Sequence, residues 1–373
     1  MAEAKDQRTS RIFQVSECPV PNPAANHHEG LDALLTLMGR NGLRFYKTEK
    51  SGDLNSVDGL IGARDVVLMK VNAQWKYRGC TSSDVARGLV QRVLEHPDGF
   101  EGEVVLIENG QGGGSFECAT EWGGQYPDSG VHANAEDERQ SFTYLVEDVF
   151  DDARVSQYLM DPLNTRFIHD DDHSTDGYRR LPTVSYPCFT TRKGNRVELA
   201  KGVWNGKNYD DNLKLITVPV LKHHMGCGIT GALKIHYGIL SMLDGGRRER
   251  HYEKLGDHCA TMITKVRTPV LNILDCTWVS PGSLAGYPAK ATTRLDKLLA
   301  SQDPIALDYW ASKHLLYPLD HNEEHNPDGS SALHRHLKEA RAIINAGGGV
   351  FGRKVTMNEG EIEVLEELAC PTP

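Results

Sequence analysis

Apolar and polar positions fall into blocks along this chain, and the blocks predict alternating strands and helices. Asp65-Val66-Val67-Leu68-Met69-Lys70-Val71-Asn72 is a continuous apolar run of strand length. Such runs belong to strands buried on both faces. Gln74, Trp75, Lys76, Arg78 and Cys80 follow it, a composition that suits a binding loop or a plain solvated one. Thr81-Ser82-Ser83-Asp84 then offers helix-capping side chains, and Val85, Leu89, Val90, Val93 and Leu94 recur at helical spacing as far as Pro97. Residues 103–108, reading EVVLIE, form a second apolar strand that runs into a glycine-rich stretch at 109–115. Residues 65–115 thus read as a βαβ unit, whose strands pair in parallel.

The pattern recurs downstream. Leu215-Ile216-Thr217-Val218-Pro219-Val220 predicts a strand, followed by a turn dense in Lys, His, Cys and Gly and by a helix from about Thr230. Residues 270–277 and 295–300 predict two further strands, and Pro304 after Asp303 starts a helix. Other helices are predicted over 31–38, 139–151, 259–266 and 331–344. Residues 184–189 predict an edge strand, because Pro182 and Pro187 bracket and interrupt it. Residues 161–200 are otherwise irregular. Residues 1–28, with three prolines at 19, 21 and 23, read as a tail or edge segment, and 346–373 as a short acidic tail.

A chain of 373 residues has room for two domains of about 150 residues. The expectation is therefore a two-lobed α/β protein with mostly parallel sheets and helices on both faces, the lobes spanning 1–160 and 161–345. The hydrophobic fraction of 39% excludes the 36 glycines, and adding them gives an ordinary globular composition. The charge of −10 argues against general nucleic-acid binding but leaves room for a local basic pocket. No apolar run reaches about 18 residues, so no membrane span is expected. The first residues lack the apolar core of a secretory leader, and the expected setting is the cytoplasm with reduced thiols. The 8 cysteines form no CxxC pair, which argues against a zinc ribbon or a ferredoxin-type cluster. Oligomeric state is left open.

Reactive side chains gather in one block: Lys222, His223, His224, Cys227, Lys234 and His236, with His251 downstream. Three readings stand. As a metal site, His223, His224, Cys227 and His251 are the candidate ligands, although the adjacent histidines are not expected to face one ion together. As an acid–base site, His224 moves a proton while Lys222 or Lys234 holds an anion or forms a covalent bond. As plain structure, the histidines satisfy backbone groups and Cys227 is a small core residue.

Polar residues also mark the ends of the other strands: Lys70 and Asn72, Glu108 and Asn109, and Asp275. Parallel strands align these ends along one edge, where open α/β sheets bind ligands. These five are the candidate substrate-binding residues, and the expected partner is a small anionic molecule. Two further signals are ambiguous. The loop 109–115 either presents backbone N–H groups to a phosphate or carboxylate, or is a flexible turn; it is not a Walker motif. His169-Asp170-Asp171-Asp172-His173 contains metal-ligand types, but neighbours on an extended chain point apart, which favours a solvated acidic loop.

The chain resembles the domain of unknown function 362 family. The matching pieces are VVLMKVN at 66–72, VVLIENG at 104–110, LITVPVLKHHMGCGITGALKIHYG at 215–238, VLNILDC at 270–276 and LASQDPIALDYWAS at 299–312. They stand in the family's order over roughly residues 30–315. Two positions depart: the family's Lys-Pro-Asn is Lys70-Val71-Asn72 here, and its Lys-Asn is Lys234-Ile235. The ferredoxin-type cysteine runs of some members are missing, which counts against an iron–sulfur role.

A shorter likeness joins His224-x-x-x-Gly228-x-x-Gly231-x-x-Lys234, followed by His251, to nickel-dependent lactate racemase. That resemblance implies Lys234 as the tether of a nickel-pincer nucleotide, His251 as a nickel ligand and His224 as the proton-transfer residue. The later histidine is offset by one position. The combined expectation is a metal- or cofactor-dependent enzyme that racemises a small hydroxy- or oxo-acid by proton or hydride transfer. The alternatives are a metal-binding redox protein using Cys80, Cys227 and the histidines, and a non-catalytic small-anion binder.

Overall fold

A ten-stranded sheet runs through the computed structural model, which describes residues 10–113, 116–121, 126–245 and 249–369. In chain order its strands are β1 (Ser10–Ser16), β2 (Val66–Val71), β3 (Glu103–Glu108), β4 (Val155–Leu159), β5 (Leu213–Val218), β6 (Val220–His224), β7 (Gly228–Thr230), β8 (Leu271–Ser280), β9 (Thr293–Ser301) and β10 (Ile362–Leu368). Eight of them lie in the order β10-β1-β9-β8-β5-β2-β3-β4, while β6 pairs with β8 and β7 with β6. The run β8-β5-β2-β3-β4 is parallel throughout. Strand β9 is antiparallel to both β8 and β1.

The apolar runs are explained by burial on two faces. On β2, Val66 and Leu68 enter one apolar cluster while Val67, Met69 and Val71 enter another, as the two-residue repeat of a strand requires. Helices Glu29–Arg40 and Ser83–Leu94 cover the second face through Leu31, Leu34, Val85 and Leu89. Helices Leu255–Thr261, Pro304–Ala311 and Ala332–Ala346 cover the first through Cys259, Ile305 and Leu337. Asp303 caps Pro304–Ala311 by accepting from Ile305 N at 2.8 Å and Ala306 N at 2.9 Å. The α/β class, with a mostly parallel sheet and helices on both faces, is the one the sequence predicts. Among the described residues no helix is long and apolar enough to cross a membrane.

Several local expectations change. The large sheet draws strands from 1–160, 161–345 and 346–373 alike, so the division near residue 160 is not a division of this sheet. The acidic tail contains β10, which pairs in parallel with β1 from Ser10 opposite Ile362 to Ser16 opposite Leu368. Its glutamates suit an edge strand, where charge discourages further pairing. The strand at 215–220 is broken at Pro219, which has no N–H to give a ladder. No helix starts at Thr230. The chain hairpins from β6 into β7 through Gly226 and Gly228, whose φ values of 80° and 83° suit glycine. Only the short 3-10 turn Lys234–Gly238 follows. Within 161–200 the chain enters a separate five-stranded antiparallel sheet, Gly177–Arg180 to Tyr209–Asp210, whose Tyr178, Phe189 and Val197 join the first cluster.

Candidate functional site

The carboxyl ends of β2, β3 and β6 meet the Lys234–Gly238 turn around a small polar cleft. Asn72, Gln74, Trp75, Glu108, Gln111, Lys222, His224, Thr230, Lys234, Tyr237 and Leu284 line it. Its space is about 30 Å³, on a measure by which one water needs roughly 10–15 Å³.

The floor is an ion pair. Lys70 shares the Val66/Leu68 face of β2 and is fully buried. Its Nζ lies 2.7 Å from Glu108 Oε1 and 2.6 Å from Val71 O. Glu108 also accepts from Ala73 N at 2.7 Å and Asn109 N at 2.9 Å. Burial pulls the Lys70 amine below its ordinary value and the Glu108 carboxyl above its own, and their contact opposes both shifts. A Cβ at Gly238 would come 2.3 Å from Glu108 Oε1 and 2.4 Å from Lys70 Nζ, so only glycine lets the turn approach the pair.

Two more amines face the cleft. Lys222 on β6 donates to Gly79 O, and its Nζ stands 5.4 Å from the centre of the Trp75 ring. Lys234 opens the 3-10 turn; among the described residues its amine enters no hydrogen bond or ion pair. Burial, and then the charge of Lys234, drives Lys222 far below the ordinary lysine range, and burial lowers Lys234 as well. The turn is held from behind by Asp308, whose Oδ1 and Oδ2 accept from Ala232 N at 2.6 Å and Leu233 N at 2.8 Å. Burial raises the Asp308 carboxyl to about 7.

Strand alternation sorts the histidines. Lys222 and His224 share one face of β6 and His223 takes the other. His224 Nδ1 is 2.9 Å from Met225 O. A carbonyl only accepts, so Nδ1 carries the proton and Nε2 keeps its lone pair. The His224 ring stacks on His251 with centroids 5.3 Å apart and planes 10° apart. Burial and the nearby Lys234 charge keep both imidazoles well below the ordinary histidine range. His223 instead approaches His325, Nδ1 to Nε2 at 2.9 Å, and His325 Nδ1 lies 3.2 Å from Asp320 Oδ1. Cys227 donates its thiol to His251 O at 3.2 Å, and burial pushes it up to about 11. The expected ligand set of His223, His224, Cys227 and His251 therefore does not assemble. Among the described residues no group of three or more His, Cys, Asp and Glu could hold a metal ion. Cys80 donates to Tyr77 O at 3.2 Å.

The strand-end candidates divide. Asn72 lines the cleft, and its Oδ1 accepts from Val220 N at 3.1 Å. Asn109 turns aside, donating to Asn164 Oδ1 at 2.6 Å and Leu240 O at 2.8 Å. Asp275 accepts from Ser82 N at 2.8 Å and from the Thr277 hydroxyl at 2.6 Å, which ties β8 to the start of helix Ser83–Leu94. Both lie outside the lining, because backbone donors near the strand ends claim them first. Tyr237, Thr230 and Leu284 line the cleft without having stood out in the sequence; Tyr237 follows Lys234 by less than one helical turn, which was the available signal.

The glycine loop is occupied from within. Gly110 N and Gly112 N donate to the two carboxylate oxygens of Asp161, each at 2.6 Å, so these donors are not free for a phosphate. Gly114 and Ser115 lie outside the described residues. The acidic segment is a self-bonded loop: Asp172 accepts from Ser174 N and Thr175 N at 2.9 Å, while His173 stacks on Trp204 at 4.0 Å.

No curated protein significantly matches the chain. A crystal structure of a Thermotoga maritima protein is similar at 15% identity with a TM-score of 0.30, over 60% of this chain and 48% of that one. The chain thus spans about half the length of that protein. Residues 185–313, which include Lys222, His224, Lys234 and His251, match the model of the family described as domain of unknown function (DUF362), in agreement with the resemblance of its motifs.

Proposed function

We propose that the cleft binds a small hydroxy- or oxo-acid through its carboxylate and moves a proton at a neighbouring carbon, as a racemase or epimerase does. One observation carries this reading. Lys222 and Lys234 share a cleft whose one lining carboxylate, Glu108, is already paired with Lys70. Buried amines without a counter-charge are costly to ionise, and an entering carboxylate supplies the missing charge. The small space favours a short acid that displaces two or three waters over a larger ligand.

In this reading Lys222 and Asn72 hold the substrate carboxylate. Trp75 supplies an apolar wall and excludes water from one side. His224 takes the proton at Nε2, since its Nδ1–H is already committed to Met225 O. Lys70 and Glu108 support the floor and do not touch substrate.

The local likeness to nickel-dependent lactate racemase would give Lys234 a tethered nickel-pincer nucleotide and His251 a bond to its metal. Lys234 has the unengaged amine that a tether needs. The cleft beside it is too small for a nucleotide, so the fit fails and the proton transfer is assigned to side chains alone.

The test is hydrogen exchange in deuterated water. The protein is incubated with enantiopure lactate and, separately, with pyruvate, and proton NMR follows the C–H signals. The expected result is exchange that His224→Ala abolishes. Binding without exchange across a panel of short hydroxy- and oxo-acids overturns the catalytic reading and leaves a small-anion binder.

A further inference from the structure

Building on the small-acid reading of the cleft, we propose that Lys234 is a nucleophile whose amine condenses with the carbonyl carbon of a 2-oxo acid to form an imine. The two cleft amines are not equivalent. Lys222 is engaged by Gly79 O and lies over the Trp75 ring. Lys234 is half-buried, lines the cleft and is engaged by nothing among the described residues. Asp308 fixes its turn through two backbone N–H groups, so the free amine stands on a rigid support.

The surroundings suit an uncharged amine. Lys222 is the neighbouring cation, and Arg250 adds a second positive charge. Cys227 and Cys259 are buried thiols, and Glu108 is held by Lys70. No carboxylate is left to keep the Lys234 amine protonated. Desolvation beside another cationic group is a general way of making a lysine nucleophilic near neutral pH, and burial lowers Lys234 in that sense.

The step balances with the groups present. The Nζ lone pair forms a C–N bond while the C=O π pair moves onto oxygen. One nitrogen proton passes to that oxygen by way of His224 Nε2, giving a carbinolamine. A proton from solvent then joins the hydroxyl, the C–O bond breaks, water leaves and C=N forms. Amine, oxo acid and one proton become a protonated imine and water. Lys222 remains opposite the substrate carboxylate. The protonated imine withdraws electrons from the adjacent C–H bond, which eases the proton transfer assigned to His224.

The full-length protein is incubated with pyruvate and sodium cyanoborohydride, and the adduct is mapped by peptide mass spectrometry. Pyruvate binding is measured separately by calorimetry without reductant. The expected result is a reduced adduct on Lys234, enriched roughly tenfold or more over any other lysine, about one pK unit of extra free amine. Lys234→Arg keeps the charge and loses the adduct. An adduct on Lys222, or one spread evenly over surface lysines, overturns the proposal. Binding without an adduct also overturns it but leaves the small-acid reading standing; absence of both binding and adduct overturns the two together. The wild-type map decides the matter even if Lys234→Arg fails to fold.

Discussion

Lys70 Nζ lies 2.7 Å from Glu108 Oε1, and Gly238 closes over both. Two ionised groups this deep pay heavily in lost hydration, and each is tolerated because the other is there. The pair spends its charge internally. That leaves Lys222 and Lys234 as the amines an incoming acid can meet.

Glu108→Gln is expected to destabilise the fold by about 3–5 kcal/mol, because it leaves the Lys70 amine buried without a counter-charge. Chemical denaturation reads the change. Replacing both partners by apolar residues of similar volume should cost much less. Equal costs for the single and double variants would show that the charge pairing is not what matters. Gly238→Ala should cost about 1–3 kcal/mol through overpacking against the same two side chains.

Lys222→Met should separate binding from folding. It removes the carboxylate anchor, with an expected loss of about 1.5–3 kcal/mol, or roughly 10–150-fold in affinity for a short acid. It also removes a buried amine that is costly to ionise, so the unfolding midpoint should stay level or rise. A variant that binds as well as wild type would exclude Lys222 from the site.

Acid affinity should fall as pH rises. Burial has moved Lys222 and Lys234 below the ordinary lysine range, so the free protein sheds these protons earlier than an exposed lysine does. A bound carboxylate favours the charged amines, and binding takes protons up. Calorimetry in buffers of different ionisation enthalpy reads the sign. Proton release on binding would contradict the two-amine site.

Asp308 should make stability fall between about pH 4 and pH 7. Its folded carboxyl is raised to about 7 against 3.8 for the free group. In that window the folded chain holds a proton that the unfolded chain has lost. Stability is complete below the lower value and declines with rising pH, by up to about 1.4 kcal/mol per unit. Asp303, raised to about 6, contributes in the same direction. Asp308→Asn should flatten the slope in urea unfolding; an unchanged slope would assign the titration elsewhere.

The parallel strands were legible because a strand buried on both faces must be apolar almost throughout, as in VVLMKV of β2. The bend after β6 was not. Gly226, Gly228 and Gly231 read as the approach to a helix, whereas their role is to let the chain pass close to Tyr252, Leu333 and Asp308. At the cleft, alternate side chains on β6 separate Lys222 and His224 from His223, a distinction that spacing along the chain carries once the strand is known. Asn109 and Asp275 misled for a different reason. Their polarity was real, but their partners, Asn164 and Ser82, are remote in sequence. β10 escaped notice because an edge strand can afford glutamates that resemble a solvated tail.

Strand β1 lies between β9 and β10, with Phe13 opposite Ala300 and Ser10 opposite Ile362. On the ribosome, then, the earliest strand emerges before either neighbour exists. Ile12, Phe13 and Val15 must wait uncovered while the parallel strands and both helical layers are made. The strand translated first is the one whose place in the sheet is completed last, so early synthesis leaves a sticky hydrophobic ribbon that only late synthesis can seal.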